Sequence, residues 1–304
     1  MYPQSAASEA IDPGQRRPWV STMATDRPGE RLSIHRSPGL EGVEFWSVSG
    51  STRNWAMYHE TYTVSHVRGP RSMTAKWRYR GRERVVAAGH VQLMEPGEIH
   101  ATTGVSEPAT FFVVWLPPPL VAKLAEENEL GRSVHLKHSQ VVDGALASAM
   151  TVLEDALVRA ESALEVEHWF VEATRCVLES CFETRPQPAR FGRQHPAVRK
   201  ARACLEARFA ERISLAELAA EAGLSKFHLA RSFTQDVGVP PHRYQTLLRV
   251  AAARQLIQSG CSLKRTAESV GFADEAHLTR WFKRELGVSP GAWRRALRGN
   301  ERGC

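Results

Sequence analysis

The chain has 304 residues and carries 40 lysines and arginines against 33 aspartates and glutamates, which gives a formal net charge of +7. This length allows two domains with separate hydrophobic cores. Residues 1–20 lack the apolar core of a signal peptide and no run of 18 apolar residues occurs, so we expect a cytoplasmic protein rather than a secreted or membrane one. The five cysteines include no C-x-x-C pair, which argues against a disulfide framework or a zinc finger.

The first half of the chain is predicted to be an arm followed by strands. Residues 1–38 show little apolar periodicity, so we predict a flexible N-terminal arm there. Between residues 58 and 116, short β-prone runs alternate with glycine and proline turn signals. The predicted strands are Tyr62–Val67, Ala75–Tyr79, Arg84–Ala87, Val91–Met94 and Thr110–Leu116. This series of short strands favours a small β-barrel.

Helices are predicted after three consecutive prolines at residues 117–119, which end the strands. Apolar residues recur at helical spacing over Val141–Ala160 and Leu164–Phe182. The apolar stripe of the second helix is either core or dimer contact, and the sequence leaves both open. A proline-containing stretch then predicts a linker. The predicted parts are an arm (1–38), a β-rich domain with its helices (39–184), a linker (185–195) and a helical domain (196–298).

The helical domain contains an internal repeat. Four residues recur at an offset of 48, namely Ser214, Leu215, Ala219 and Gly223 as Ser262, Leu263, Ala267 and Gly271. After a one-residue insertion, eight more recur at an offset of 49, namely His228, Leu229, Arg231, Phe233, Gly238, Val239, Pro241 and Tyr244 as His277, Leu278, Arg280, Phe282, Gly287, Val288, Pro290 and Trp293. Chance rarely produces such a duplication.

Each copy of the repeat has the spacing of a helix-turn-helix unit. Ser214 and Glu217 form a capping box at the start of a helix, and Gly223 is placed to end it. Ser225 then caps a second helix, as Asp274 does in the second copy. Helical spacing turns Leu229, Phe233, Leu278 and Phe282 inward. The outward residues are Lys226, Phe227, Ala230 and Arg231 in the first copy and Glu275, Ala276, Thr279 and Arg280 in the second.

Charge is segregated along the chain. From Arg190 to the end there are 21 lysines and arginines against 10 acids, a net of +11, whereas the remaining residues have 19 against 23, a net of −4. A basic helical domain suits salt-dependent attraction to phosphate, so we predict double-stranded DNA as a partner. The alternative interpretation is a small helical bundle whose basic face is merely solvated.

The repeat, and above all the string from Gly271 to Pro290, resembles the DNA-binding domain of the AraC/XylS transcription regulators, over roughly residues 196–295. The resemblance implies that the second helix of each unit enters a major groove and that a spacer helix, at about Pro241–Ser259, joins the units. It also implies promoter DNA and RNA polymerase as partners, activation more often than repression, and a location at the nucleoid. The matching DNA-binding positions are Lys226, Phe227, Ala230, Arg231, Glu275, Ala276, His277, Thr279 and Arg280.

Two of these positions depart from the family pattern. Ala230 replaces a longer polar side chain, so the first unit is expected to read DNA through Arg231 and through apolar contact with thymine methyl groups. Glu275 favours the helix dipole but repels phosphate unless it accepts a hydrogen bond from cytosine.

The strand-rich half is similar to the cupin-like effector domain of the same family, at residues 58–62 and 95–100. The expected fold class is therefore α+β, with a jelly-roll barrel that holds a small-molecule effector, adjacent helices that can pair two subunits in a homodimer, and an all-α C-terminal domain. We predict His59, Tyr62, Trp77 and His100 as effector-binding residues, because aromatic and imidazole groups supply apolar contact with a few directed hydrogen bonds.

A metal site is the main alternative for the two histidines. Metal-binding cupins pair a His-x-His motif and a glutamate with a later histidine, whereas here Glu60 directly follows His59. A catalytic metal needs about three protein ligands, so we predict no metal, no cofactor and no catalytic residues. The competing function is a cupin-type metalloenzyme with a basic nucleic-acid-binding tail. A third possibility is an architectural DNA binder without an effector.

Overall fold

A computed structural model of the protein describes residues 19–128, 130, 135–159, 162–183 and 195–298. The strands lie in the N-terminal half and the C-terminal part is helical, which confirms the α+β class. The predicted linker lies outside the described residues apart from His195. Within the described part, no helix combines the length and apolar character needed to cross a membrane.

The N-terminal domain is built mainly from antiparallel strands. They are β1 (Trp19–Ala24), β2 (Arg31–Arg36), β3 (Glu44–Ser51), β4 (Ala56–Tyr58), β5 (Tyr62–Arg68), β6 (Thr74–Tyr79), β7 (Arg82–Ala87), β8 (Val91–Met94), β9 (Ile99–Val105), β10 (Ala109–Leu116), β11 (His135–Leu136), β12 (Gln140–Val141) and β13 (Phe182–Glu183). A seven-stranded sheet has the order β1-β2-β3-β10-β5-β8-β12, a four-stranded sheet has the order β4-β9-β6-β7, and β11 pairs with β13. All five predicted strands are confirmed, with shifts of no more than two residues at their ends.

Alternation along the strands separates two apolar regions. On β5, Thr63, Ser65 and Val67 line a cavity between the two large sheets, whereas Val64 belongs to the core on the opposite face. That core lies between the seven-stranded sheet and three helices: α1 (Pro118–Glu127), α2 (Gly144–Arg159) and α3 (Ala163–Cys181). The apolar stripe on α3 is therefore core, with Val166 and Phe170 buried against the sheet.

One N-terminal prediction needs correction, and a second is confirmed but incomplete. The flexible arm was predicted to extend to residue 38, but Trp19–Ala24 and Arg31–Arg36 are paired strands at the edge of the seven-stranded sheet. Residues 1–18 lie outside the described residues. The prolines at 117–119 end β10 as expected, but they also begin α1, because proline is well suited to the first turn of a helix.

The C-terminal domain consists of seven helices within the described residues. They are α4 (Pro196–Ala207), α5 (Leu215–Ala222), α6 (Lys226–Val237), α7 (Pro241–Gln258), α8 (Leu263–Ser269), α9 (Glu275–Leu286) and α10 (Pro290–Arg298). The predicted helix starts are confirmed: Ser214 and Glu217 form the capping box of α5, Ser225 caps α6 and Asp274 caps α9. Helices α5 and α6 form the first unit, α8 and α9 form the second, and α7 is the spacer.

The two domains share packed surfaces. Trp46 of β3 contacts Trp293 of α10, with ring centroids 5.0 Å apart. Polar contacts surround this apolar one: the amide of Asp26 donates to the carbonyl of Gly287 (2.9 Å), and Arg202 Nη2 donates to the carbonyl of Gly97 (2.7 Å). Both helix-turn-helix units are thus held against the barrel, since Gly287 ends α9 and Arg202 lies on α4, which packs on the first unit.

Candidate DNA interface and effector pocket

The first recognition helix, α6, turns a mixed basic and aromatic face to solvent. Lys226, Phe227 and Arg231 are exposed, while Leu229 and Phe233 are fully buried. The Phe227 side chain is 87% exposed, which is unusual for a phenylalanine at a helix start. Ala230 is half-buried beside Arg231. The four predicted residues lie together near the N-terminal end of α6.

The second recognition helix, α9, has a similar exposed face. Glu275, Ala276 and Arg280 are exposed, and Thr279 is half-buried. His277 is placed differently from a base-reading residue, because Trp281 Nε1 donates a hydrogen bond to its Nε2 at 3.0 Å. The His277 ring is therefore already hydrogen-bonded within its own helix.

The barrel cavity occupies about 800 Å³ including its open mouth. His59, Trp77 and His100 line it, as predicted. Tyr62 does not line it, contrary to its predicted place in the pocket. It lies on the helix-facing side of β5, where its ring packs edge-on against Phe182 with centroids 5.4 Å apart. The physical reason is the two-residue period of a strand, which places Tyr62 and Thr63 on opposite faces.

Two stacked imidazoles lie in the wall of this cavity. The rings of His59 and His100 have centroids 5.3 Å apart and an interplanar angle of 19°. Burial lowers the pKa of His100 to about 4 and lowers the pKa of His59 well below its ordinary value, with smaller contributions to the latter from His100 and from the charge of Arg254. Both rings are therefore neutral at pH 7. Within the described residues, neither nitrogen of His59 nor Nδ1 of His100 has a hydrogen-bond partner.

Aromatic and polar residues that the sequence analysis missed complete the cavity wall. Besides the predicted residues, the wall includes Trp46, Trp55, Phe111 and Trp115. Within the described residues, no group of three or more histidine, cysteine or acidic side chains is arranged to hold a metal ion.

Buried histidines outside the cavity lead to a prediction about pH. Burial lowers the pKa of His35 from 6.5 to about 4, so the native state binds fewer protons than the unfolded chain below pH 6.5. Its contribution to stability is complete above pH 6.5 and is lost as the pH falls toward 4. We expect wild type to lose about 2 kcal/mol more than His35→Gln between pH 7 and pH 5 in urea unfolding.

Wild type and His35→Gln differ at one residue, so the difference between their losses of unfolding free energy reports the contribution of His35. Burial raises the pKa of Glu285 to about 7, so that carboxyl changes stability in the opposite direction over the same pH range, but it is present in both proteins. Equal losses of unfolding free energy in wild type and His35→Gln would contradict the prediction.

Comparison with known protein families identifies the two domains that contain these sites. A family profile described as an AraC-like ligand binding domain matches residues 74–170, and one described as a helix-turn-helix domain matches residues 218–296. The first covers β6 to β12, α1, α2 and the first part of α3, and the second covers both recognition helices. The chain belongs to the AraC family of transcription regulators.

Similarity to individual proteins covers different shares of the chain. The chain is 24% identical to the HTH-type transcriptional regulator YbfI of Bacillus subtilis over 82% of this chain and 90% of that protein. It is 42% identical to the HTH-type transcriptional activator RhaS of Escherichia fergusonii over 29% of this chain and 32% of that protein. Among solved structures, ToxT of Vibrio cholerae is 14% identical over 84% of this chain and 98% of that chain, with a TM-score of 0.47.

As a member of the AraC family, the protein is a transcription regulator with an N-terminal ligand-binding domain and a C-terminal helix-turn-helix DNA-binding domain. Most of its pocket aromatics escaped the sequence analysis because they lie on strands whose facing was not assigned. Trp46 lies on β3, which was not predicted, and Trp115 lies on β10, whose alternation of Phe111, Val113 and Trp115 was a usable signal.

Proposed function

We propose that the protein reads two neighbouring major-groove faces of promoter DNA, one with α6 and one with α9, under the control of an effector bound in the barrel. The observation that carries this proposal is the pair of outward faces, which present Lys226, Phe227 and Arg231 on one helix and Ala276 and Arg280 on the other. Two such helices in one chain suit boxes about 10 bp apart. We also propose that the bound protein activates transcription through contact with RNA polymerase. A homodimer would bind two such pairs of boxes.

Contacts between pocket and recognition helix offer a physical route for that control. Trp115 and Trp46 both line the cavity and their ring centroids lie 4.2 Å apart. Trp46 contacts Trp293. The ring centroid of Trp293 lies 6.1 Å from that of Phe282, which is on the buried face of α9. A ligand that changes the packing of the pocket tryptophans therefore has a direct steric connection to the second unit. Control requires only that the effector bind the docked and undocked states with different affinity.

The proposal is tested by selecting duplexes from a randomised library with the full chain at near-physiological salt. We expect two short conserved boxes with centres about 10 bp apart. Arg231→Ala should remove the sequence preference in one box only, whereas Arg199→Ala, which removes an exposed arginine of α4 away from both reading faces, should leave both boxes intact. Retention of DNA without any preferred sequence would contradict the proposal.

The exposed ring of Phe227 leads to a prediction about the methyl group of a single thymine in the DNA. If its exposed ring packs on thymine in the first box, replacing that thymine by deoxyuracil removes the apolar contact and keeps every base pair. We expect affinity to fall about 3- to 10-fold, which is the effect of one buried methyl group. Phe227→Ala should bind both duplexes equally in fluorescence anisotropy. A persistent thymine preference in Phe227→Ala would show that another residue contacts the methyl group.

The docking of the two domains gives a further prediction, centred on Arg254 of the spacer helix. Its guanidinium lies over the rings of Trp46 and Trp115 at 5.5 and 5.4 Å and pairs with Glu44 at 3.6 Å. Replacement by methionine removes these contacts, which contribute on the order of 1–2 kcal/mol. Undocking should then become about 5- to 30-fold more frequent.

The amide of Asp26 reports on undocking, because its hydrogen bond to the Gly287 carbonyl joins the two domains. We expect its hydrogen exchange to accelerate by that factor in Arg254→Met. Arg249→Met is the matched control, since Arg249 on the same helix donates to the carbonyls of Phe209 and Glu211, both in the DNA-binding domain. Unchanged exchange at Asp26 in Arg254→Met would mean that Arg254 does not stabilise docking.

A further inference from the structure

The wall of the barrel cavity offers no unpaired charge among the described residues that line it. Arg53 is the ionised residue of the lining, and its guanidinium is paired with the carboxylates of Asp26 and Glu30. The Glu30 carboxylate also accepts hydrogen bonds from Thr25 and Ser51. This corner is satisfied within the protein, so a charged ligand entering the cavity would lose its hydration without gaining an ion pair.

The other cation close to the cavity is also engaged. Arg254 does not line the cavity, lies over the rings of Trp46 and Trp115, and pairs with Glu44. Its guanidinium thus lies on two indole rings that line the cavity. The cavity therefore favours ligands that are uncharged at pH 7.

Within the described residues, the lining has buried polar atoms without a partner at the indole nitrogens of Trp46 and Trp115 and around the stacked pair of His59 and His100. Three of their four ring nitrogens are buried without a partner in the described part of the chain, as is the hydroxyl of Thr63 on the same wall. A neutral imidazole has one N–H donor and one bare nitrogen that accepts. Two such rings side by side suit a ligand group that both donates and accepts, which a hydroxyl or a primary amide does.

The remaining wall is largely aromatic. Four tryptophans and one phenylalanine contribute to it, namely Trp46, Trp55, Trp77, Phe111 and Trp115. The indole nitrogens of Trp55 and Trp77 are already hydrogen-bonded to Ser51 and Gln140, so these residues present apolar surface. Aromatic walls favour flat aromatic ligands, because offset stacking and edge-to-face contacts add to the gain from burial.

We infer that the cavity binds an uncharged, planar aromatic molecule with one hydroxyl or amide group, held by His59 and His100, with its ring system among the tryptophans. The inference rests on the proposed function, since it names the class of effector. It excludes carboxylate and ammonium ligands from this cavity.

Isothermal titration calorimetry of the full chain at pH 7 with three matched probes tests the inference. The probes are 2-naphthol, 2-naphthoate and decahydro-2-naphthol, which share a fused-ring skeleton and differ in charge or in aromaticity. We expect 2-naphthol to bind at least 10-fold more tightly than 2-naphthoate and several-fold more tightly than the saturated alcohol. Tighter binding of 2-naphthoate would overturn the assignment of charge, and tighter binding of the saturated alcohol would overturn the aromatic assignment.

Variants locate the bound hydroxyl. His59→Phe and His100→Phe should each weaken 2-naphthol at least 10-fold, because the hydroxyl loses its partner. His66→Phe is the control: this buried imidazole lies on the helix-facing side of the same strand as Thr63, away from the cavity lining. Equal affinity for 2-naphthol in His100→Phe and His66→Phe would overturn the role of the histidine pair, and His100→Phe serves if His59→Phe does not fold.

The same preparation is used for the duplex selection, which separates the two failures. If none of the probes binds while two DNA boxes are selected, the ligand class is overturned and the proposed DNA-reading function stands. If 2-naphthol binds as expected while the selected DNA has no preferred sequence, the ligand class is supported and the proposed reading by two helices fails.

Discussion

Replacing Arg280 with alanine is expected to weaken binding to the selected duplex by about 1–3 kcal/mol, which is about 5- to 150-fold, and to relax the base preference at one position of one box. The arginine is exposed on the same face of α9 as Ala276 and is not paired with a carboxylate in the described structure, so its guanidinium is available to guanine. Anisotropy titrations against the selected duplex and against four duplexes varied at each position of that box measure both effects.

Lys264→Ala is the matched control for Arg280→Ala. Lys264 is exposed on α8, the first helix of the same unit, which in this type of motif crosses the phosphate backbone. Its removal should weaken binding to all sequences alike and lower the slope of log affinity against log salt by about one. If Arg280→Ala behaved in this way and left the base preference unchanged, its role in reading bases would be refuted.

The sequence was most informative about the recognition helices because their features are local. The capping box of Ser214 and Glu217, the cap at Asp274 and the inward pairs at four-residue spacing depend only on neighbours in the chain. Nine predicted DNA-binding residues fall on α6 and α9 for the same reason. His277 shows the limit of this approach. Its imidazole accepts a hydrogen bond from the indole of Trp281, one turn further along the helix, and the pattern of outward residues did not reveal this bond.

The barrel was predicted less completely, because the facing of a strand depends on partners that are distant in the sequence. Tyr62 was assigned to the pocket, but β5 pairs with β10 and β8 so that Thr63 faces inward and Tyr62 faces the helices. The strands β1 and β2 were missed because they are stabilised by pairing, β1 with β2 and β2 with β3.

The packing of the two domains on one another could not be predicted at all. Trp46 and Trp293 lie far apart in the sequence, and each occurs in a segment where an ordinary core residue would be expected. Only the structure places them in contact, and it also shows that Arg254 on the spacer helix covers two tryptophans of the pocket. These contacts matter to function, because they connect the wall of the effector cavity to α9.

Replacing Gly271 with alanine is expected to destabilise the DNA-binding domain by about 2–5 kcal/mol. Gly271 has φ +82°, a left-handed conformation that costs a residue with a side chain about 1–2 kcal/mol. A Cβ at this position would also overlap the carbonyl oxygen of Ala210 and lie 2.9 Å from its Cα, and crowding of this kind adds about 1–3 kcal/mol. Urea unfolding followed by circular dichroism measures the loss.

Gly223 provides the matched control, because it occupies the same place in the first unit. It has φ +69°, but a Cβ there would meet no atom within 4 Å, so Gly223→Ala should lose only the conformational part, about 1–2 kcal/mol. Equal losses of unfolding free energy in the two variants would show that the close approach of Gly271 to Ala210 does not affect stability.

The difference between the two glycines has a functional meaning. Ala210 lies in the turn between α4 and α5, so the close approach of Gly271 ties the second unit to the first. Arg249 of the spacer helix donates to the carbonyls of Phe209 and Glu211 on either side, which holds the same turn. The spacing of the two recognition helices thus depends on a contact that only glycine permits, and Gly271→Ala should broaden the preferred distance between the two DNA boxes, whereas Gly223→Ala should leave it unchanged.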